Sequence, residues 1–174
     1  MLIKGVKYRT ATDFQKLLYI TGIPQRYWSV DAKSLKASTE EQQEKASKLL
    51  SKNVGPFTIG ISSYPNVNSS MVFASCVAQN YYARNSNCKI KFYNMDMVTS
   101  LSYDPLNLLV LYNVFSDSSK SRIQCLKDIL FRFDDCTKLV VTSGSDTSLF
   151  TSLRIPLDHT ISFKGNSASR TRKV

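Results

Sequence analysis

From residue 57 onward, the sequence alternates short apolar runs with longer helix-forming runs. Two of the apolar runs contain almost no polar residues, as is usual for strands that are buried on both faces of a sheet. Such alternation is typical of parallel strands joined by crossover helices. The chain is therefore predicted to be an α/β protein. Strands are predicted over residues 57 to 62, 88 to 94, 106 to 114, 138 to 143 and 159 to 164.

Helices are predicted from capping patterns and from the spacing of apolar residues. Ser38 and Glu41 stand in capping-box positions and predict where the second helix begins. The third helical run is apolar almost all round, which indicates a buried helix, whereas the fourth is amphipathic. The predicted helices cover residues 12 to 21, 38 to 51, 70 to 83 and 119 to 133.

The balance of charge is strongly basic. The 174 residues include 23 Lys and Arg against 13 Asp and Glu, which gives a formal net charge of +10. A positive potential favours polyanions, such as nucleic acid or an acidic protein face. A basic surface that is merely solvated fits the same composition, so charge by itself leaves three interpretations open.

Cysteine and histidine offer little support for a metal site or for hydrolytic catalysis. Cys76, Cys88, Cys125 and Cys136 lack the C-x-x-C spacing of metal sites, and His159 cannot complete a ligand cluster with them. The cysteines are predicted to be small core residues. No stretch approaches the roughly 18 apolar residues of a membrane span. We therefore expect a cytoplasmic protein with reduced thiols and no membrane partner.

Four short segments narrow the prediction from α/β protein to a family. They are GIPQRYW at 22 to 28, LLVLYN at 108 to 113, KLVVTSG at 138 to 144 and ISFKGNSASR at 161 to 170. In this order and spacing they resemble segments of the AAA+ type ATPase domain of bacterial and phage helicase loaders. In those proteins the second segment ends in acidic residues and the third in Thr-Ser-Asn.

The resemblance implies a P-loop NTPase fold, a three-layer sandwich around a five-stranded parallel sheet of order 5-1-4-3-2. It also implies a division of the chain into three parts. Residues 1 to 53 form an N-terminal helical extension, residues 54 to 164 a degenerate P-loop ATPase-like domain, and residues 165 to 174 a basic tail. The tail is expected to become ordered only on a partner.

By the same resemblance, the nucleotide site falls on residues 63 to 70. A working P-loop reads G-x-x-x-x-G-K-[ST], because glycines let backbone amides approach the phosphates while Lys neutralises their charge. Here Ser63 and Asn68 occupy the glycine positions and Ser69 the Lys position. Only Ser70, at the magnesium-binding hydroxyl position, is retained.

Two further parts of the expected reaction centre are also replaced. Tyr112 and Asn113 stand where the magnesium-organising and catalytic acids belong, and Gly144 stands where the sensor Asn belongs. The resemblance thus predicts a pseudo-ATPase without catalytic residues, metal or nucleotide cofactor. Local alternatives remain, in which Tyr112 is a core aromatic and Asn113 ends a strand. Asp117 could replace the lost acid or cap a helix.

Nine residues are predicted to bind nucleic acid. Arg26 with Tyr27 and Trp28 suits single strands, because bases stack on rings while a guanidinium meets phosphate. These three side chains could equally pack the N-terminal helix on the domain. The other six are basic residues of the fourth helix and of the tail: Lys120, Arg122, Lys127, Arg170, Arg172 and Lys173.

The resemblance implies a non-catalytic replication accessory protein that binds single-stranded DNA or RNA, the replicative helicase or another replication protein. Loaders often carry a helicase-binding region where this chain has one short helix, which suggests a shortened factor, such as one encoded by a phage, or a subunit. Three alternatives stay open: a structural subunit that uses the fold as a scaffold, a phage inhibitor that imitates a loader, and an unusual active ATPase.

Overall fold

The computed structural model describes residues 11–64, 68–98, 101–114, 119–142, 150–151 and 154–164. Within these ranges, strands and helices follow one another as the apolar alternation predicts. The helices are α1 (Ala11–Thr21), α2 (Glu40–Ser51), α3 (Asn68–Arg84) and α4 (Lys120–Arg132), with a 3₁₀ turn at Gln25–Tyr27. The strands are β1 (Lys36–Ala37), β2 (Thr58–Tyr64), β3 (Ile90–Asn94), β4 (Leu108–Val114), β5 (Thr137–Thr142) and β6 (His159–Lys164).

The strands form one mixed sheet in the order β1-β6-β2-β5-β4-β3. β1 pairs antiparallel with β6, and the remaining pairings are parallel. The sheet thus differs in strand number, order and direction from the predicted five-stranded parallel sheet. The whole difference comes from β1, since two residues give no periodicity to detect. Without β1, the parallel strands, numbered among themselves, lie in the order 5-1-4-3-2.

Helices cover both faces of the sheet, and the central strands are buried between them. Leu108 and Val110 of β4 belong to the core that α1, α2 and α3 share with the sheet. Leu109 and Leu111 alternate with them and pack in a second core with α4. Because successive side chains of a strand point to opposite faces, a strand covered on both sides is apolar at every such position.

The segment before β2 packs on the same core as α3. Leu18 of α1 and Leu49 of α2 are buried there. Two glutamines of α2 satisfy backbone amides at the sheet edge: Gln43 Oε1 accepts from Ala37 N at 2.8 Å, and Gln42 Oε1 accepts from Ser162 N at 3.1 Å. These contacts join α2 to the edge that β1 and β6 form. The division of the chain at residues 53 and 164 stays a prediction.

The N-cap of α2 is Thr39, so the prediction that Ser38 caps this helix is wrong. Thr39 has extended backbone, and its side chain accepts from the Gln42 amide. Ser38 is instead held by the sheet, because its amide donates to the carbonyl of Ser162 at 2.7 Å. The other predicted boundaries lie within two residues of the observed ones.

Cys76, Cys88 and Cys136 are buried and free, and Cys125 is half-buried, which confirms that the first three are core residues. Burial raises the pKa of the Cys76 thiol to about 12 and that of Cys136 to about 11. None of the helices that the structure describes combines the length and the apolar character needed to cross a bilayer.

We predict that iodoacetamide at pH 8 alkylates Cys125 first and leaves Cys76 and Cys136 unmodified in the folded protein. Both buried thiols are inaccessible, and a raised pKa keeps them protonated and therefore poorly nucleophilic. Peptide mass spectrometry with and without urea provides the measurement. Equal labelling of all four cysteines without denaturant would contradict the described core.

Candidate functional site

The predicted nucleotide-site residues that the structure describes gather where the parallel strands have their carboxyl ends, the carboxyl edge of the sheet. Ser63 lies near the carboxyl end of β2, and Tyr112 and Asn113 lie near that of β4. Asn68, Ser69 and Ser70 form the first turn of α3. In open α/β sheets, ligands bind outside the carboxyl ends of the strands, so this is the edge at which a site is expected. Gly144 lies outside the described residues.

Buried hydroxyl groups interact with one another where α3 begins. The Ser70 amide donates to Ser63 Oγ at 3.3 Å, and the two hydroxyl oxygens are also 3.3 Å apart. Ser70 Oγ donates to the carbonyl of Thr142, the last residue of β5, at 3.4 Å. Ser70, predicted from the resemblance to be the retained hydroxyl, is therefore turned into the protein, where it ties α3 to β2 and β5. Ser69 is buried as well.

Tyr27, in the segment before β2, covers part of this carboxyl edge. Its hydroxyl donates to Asn68 Oδ1 at 2.9 Å, and Gln79 Nε2 donates to the Tyr27 carbonyl at 3.4 Å. The guanidinium of Arg26 lies 4.8 Å from the centre of the Tyr27 ring, a cation–π arrangement. The Tyr27 side chain is only 4% exposed, so its ring packs the N-terminal segment on the domain and offers no face to a base.

Tyr112 and Asn113 carry no charge at neutral pH. Burial raises the pKa of the Tyr112 phenol, which the nearby Arg26 charge partly offsets, so the ring stays protonated. Tyr112 is half-buried and packs against the core that α1, α2 and α3 share with the sheet. Asn113 lies within β4, and its Nδ2 donates to Asn94 Oδ1 at 3.0 Å. Neither side chain supplies the negative charge of a magnesium-binding carboxylate.

Asn113 adopts a left-handed backbone conformation, with φ 60°. The pairing of β4 with β5 is irregular between Leu111 and Val114, so the strand bulges at this point. Asparagine tolerates this conformation better than most residues. Its side chain is thereby aimed at Asn94, whose Oδ1 also accepts from the Asp96 amide at 3.0 Å. β4 continues for one residue beyond Asn113, to Val114.

One cavity at this edge, as the described residues bound it, is too small for a nucleotide. It measures about 50 Å³, enough for one or two waters, whereas small-molecule sites commonly measure several hundred Å³. Arg26 is the one charged residue among the described residues that line it. The described residues that line this cavity therefore do not fit a magnesium nucleotide. The described lining consists of Arg26, Tyr27, Asn68, Met71, Asn113, Val141 and Thr142.

The predicted nucleic-acid-binding residues are only partly brought together. Lys120 and Arg122 lie in the first turn of α4, at the same sheet edge, while Lys127 lies further along that helix. Arg122 forms an ion pair with Asp96 at 3.0 Å, and Lys120 is exposed. Trp28 is half-buried, and its indole Nε1 donates to the carbonyl of Ile23 at 2.8 Å. Arg170, Arg172 and Lys173 lie outside the described residues.

The sequence analysis missed Asn94 and Thr142, which contribute to the network at this edge. Each is the last residue of a parallel strand, and polar residues at strand ends are a signal that could have identified both. Across the described ranges, no group of His, Cys, Asp and Glu side chains is arranged to hold a metal ion. The sequence matches no protein-family model and no curated protein.

We predict that Asn113→Ala lowers the free energy of unfolding by about 2 kcal/mol, because Ala resists positive φ and the hydrogen bond to Asn94 is lost. Asn113→Gly is expected to lose less, since glycine adopts this conformation without a clash of its own. Urea unfolding followed by circular dichroism measures both variants. Wild-type stability in Asn113→Ala would contradict a structural role for this side chain.

Proposed function

We propose that this chain is a non-catalytic replication accessory protein of the AAA+ type, similar to helicase loaders, that binds single-stranded nucleic acid. The observation that carries the proposal is the carboxyl edge of the sheet. There, uncharged hydroxyl and amide side chains bond to one another at the positions of a nucleotide site. The order 5-1-4-3-2 of the parallel strands agrees with the sheet that the resemblance to an AAA+ type ATPase domain implies.

The proposed loss of hydrolysis is supported by the residues that stand where the reaction would need charged or ligand-facing groups. Phosphoryl transfer depends on cations and magnesium that neutralise the phosphates, and on a carboxylate or amide that positions the nucleophile. Ser69 is buried and cannot supply the missing positive charge. Ser70 Oγ donates to Thr142 O rather than facing a ligand site.

Nucleic-acid binding is supported by cations that lack a carboxylate partner. In the described ranges, ion pairs involve Lys33, Lys45, Lys48, Lys89 and Arg122. Other cations are exposed and pair with no carboxylate of the described residues, among them Lys16, Arg26 and Lys120. Lys36 and Lys164 face each other across β1 and β6, which concentrates positive charge at that edge. Unpaired surface cations are the groups that exchange counterions for phosphates.

We predict that a fluorescein-labelled single-stranded oligonucleotide binds the protein in a salt-dependent manner that ATP does not change. With four phosphate contacts, affinity is expected to fall about fiftyfold between 50 and 200 mM salt. Fluorescence anisotropy is the measurement, and magnesium without ATP is the control, because magnesium itself screens phosphates. Absence of binding at low salt would overturn the nucleic-acid proposal, and ATP-dependent binding would overturn the loss of the nucleotide site.

A second candidate is an interaction subunit that contacts the replicative helicase or another replication protein. It is favoured by Phe131, whose side chain is 85% exposed on the outer face of α4. Exposed large apolar residues mark protein contacts when they form part of a patch. Co-purification with a hexameric helicase, weakened by Phe131→Ser, would support this candidate. A helicase that elutes separately at low salt would count against it.

A further inference from the structure

A groove with aromatic walls lies on the outer face of α1. It has a volume of about 390 Å³ and is lined by Gln15, Lys16, Tyr19, Ile20 and Trp28. The Tyr19 side chain is 76% exposed and that of Ile20 is 63% exposed. Leu18, between Lys16 and Ile20 in the chain, is buried in the core and fixes which face of α1 points outward.

The donor group of Trp28 is already used inside the protein. Its indole Nε1 bonds to the carbonyl of Ile23, so the ring contributes an apolar surface to the groove rather than a hydrogen-bond donor. Tyr19 provides the second ring. Tyr27, predicted as a stacking residue from the sequence, is buried, and the exposed aromatic of this region is Tyr19.

Positive charge lies in the groove and at the end of α1. Lys16 is the one charged residue among the described residues that line it. Lys91 Nζ donates to the carbonyl of Ile20 at 2.9 Å, so a second ammonium lies at the end of α1. Arg26 is exposed in the 3₁₀ turn that immediately precedes Trp28. An anionic ligand with flat apolar faces complements this combination of rings and cations.

We propose that this groove is a stacking platform for bases of single-stranded nucleic acid. Bases stack on Tyr19 and Trp28, while Lys16 meets the adjacent phosphate, as in sequence-tolerant single-strand binding. A second copy of this chain is disfavoured as occupant, because each copy carries a formal net charge of +10. The inference rests on the proposed nucleic-acid binding and assigns it a location.

The chain contains a single tryptophan, so its fluorescence reports directly on this groove. Titration of the full chain with unlabelled oligothymidylate is expected to quench Trp28 emission with the same midpoint as the anisotropy of labelled oligothymidylate. Tyr19→Ala is expected to weaken binding about tenfold, because one stacked base is lost. Tyr19→Phe should retain wild-type affinity, since stacking does not need the hydroxyl.

Tyr103→Ala is the matched control. Tyr103 is 51% exposed, and its ring packs on Phe133, on the α4 side of the sheet. Its replacement is expected to leave affinity and quenching unchanged. Circular dichroism of each variant confirms that the fold is retained.

The outcomes separate the two proposals. Quenching together with a tenfold loss in Tyr19→Ala and none in Tyr103→Ala supports the platform. Wild-type binding that neither quenches Trp28 nor weakens in Tyr19→Ala overturns the platform alone, and it reassigns the groove to a protein partner. An absence of oligonucleotide binding by the wild-type chain at low salt overturns the nucleic-acid function and the platform together.

Discussion

Burial of β4 and β5 on both faces is the constraint on which the rest of this structure depends. The consecutive residues Leu108 to Leu111 and Leu139 to Val141 are buried, with alternate side chains in two separate cores. Two helical layers are needed to cover such strands, because every outward position is apolar. The layers are supplied by α1, α2 and α3 on one side and by α4 on the other.

This arrangement leaves the strand ends as the place where polar side chains can meet. At the carboxyl edge they satisfy one another: Ser63 with Ser70, Asn113 with Asn94, and Tyr27 with Asn68. A buried polar group lowers stability unless it forms a hydrogen bond. Side chains that bond to one another are therefore more stable at this position than polar groups left without a partner until a ligand binds. The proposed loss of nucleotide binding therefore follows from hydrogen bonding as much as from missing residues.

The protein surface differs from this set of bonded side chains. Many of its cations pair with no carboxylate of the described residues. Ion pairs such as Lys45 with Glu41 lie along α2 and are exposed to solvent, so they contribute little to stability. The remaining cations keep a positive potential around the molecule. The groove beside Tyr19 adds apolar rings to that potential. Charge would draw a polyanion to the protein, while stacking would decide where it binds.

Much of the fold could be predicted from the sequence, because the five long strands and four helices are encoded locally. The apolar run around Val110 identifies β4, and the amphipathic spacing around Leu126 identifies α4. Each pattern lies within one short segment of the chain. The edge strand β1 could not be predicted in this way. Its two residues form a strand only because β6 and Gln43 of α2 bond to it.

For the candidate site, the sequence by itself determined which residue types are present: hydroxyls and amides at positions 63 to 70, 112 and 113, and a large excess of cations. Only the tertiary structure decided which of them meet. Tyr27 was predicted as a stacking residue, but packing buried its ring and left that of Tyr19 exposed. Burial and hydrogen-bond partners depend on contacts between distant segments, such as Tyr27 with Asn68, and local sequence patterns do not encode those contacts.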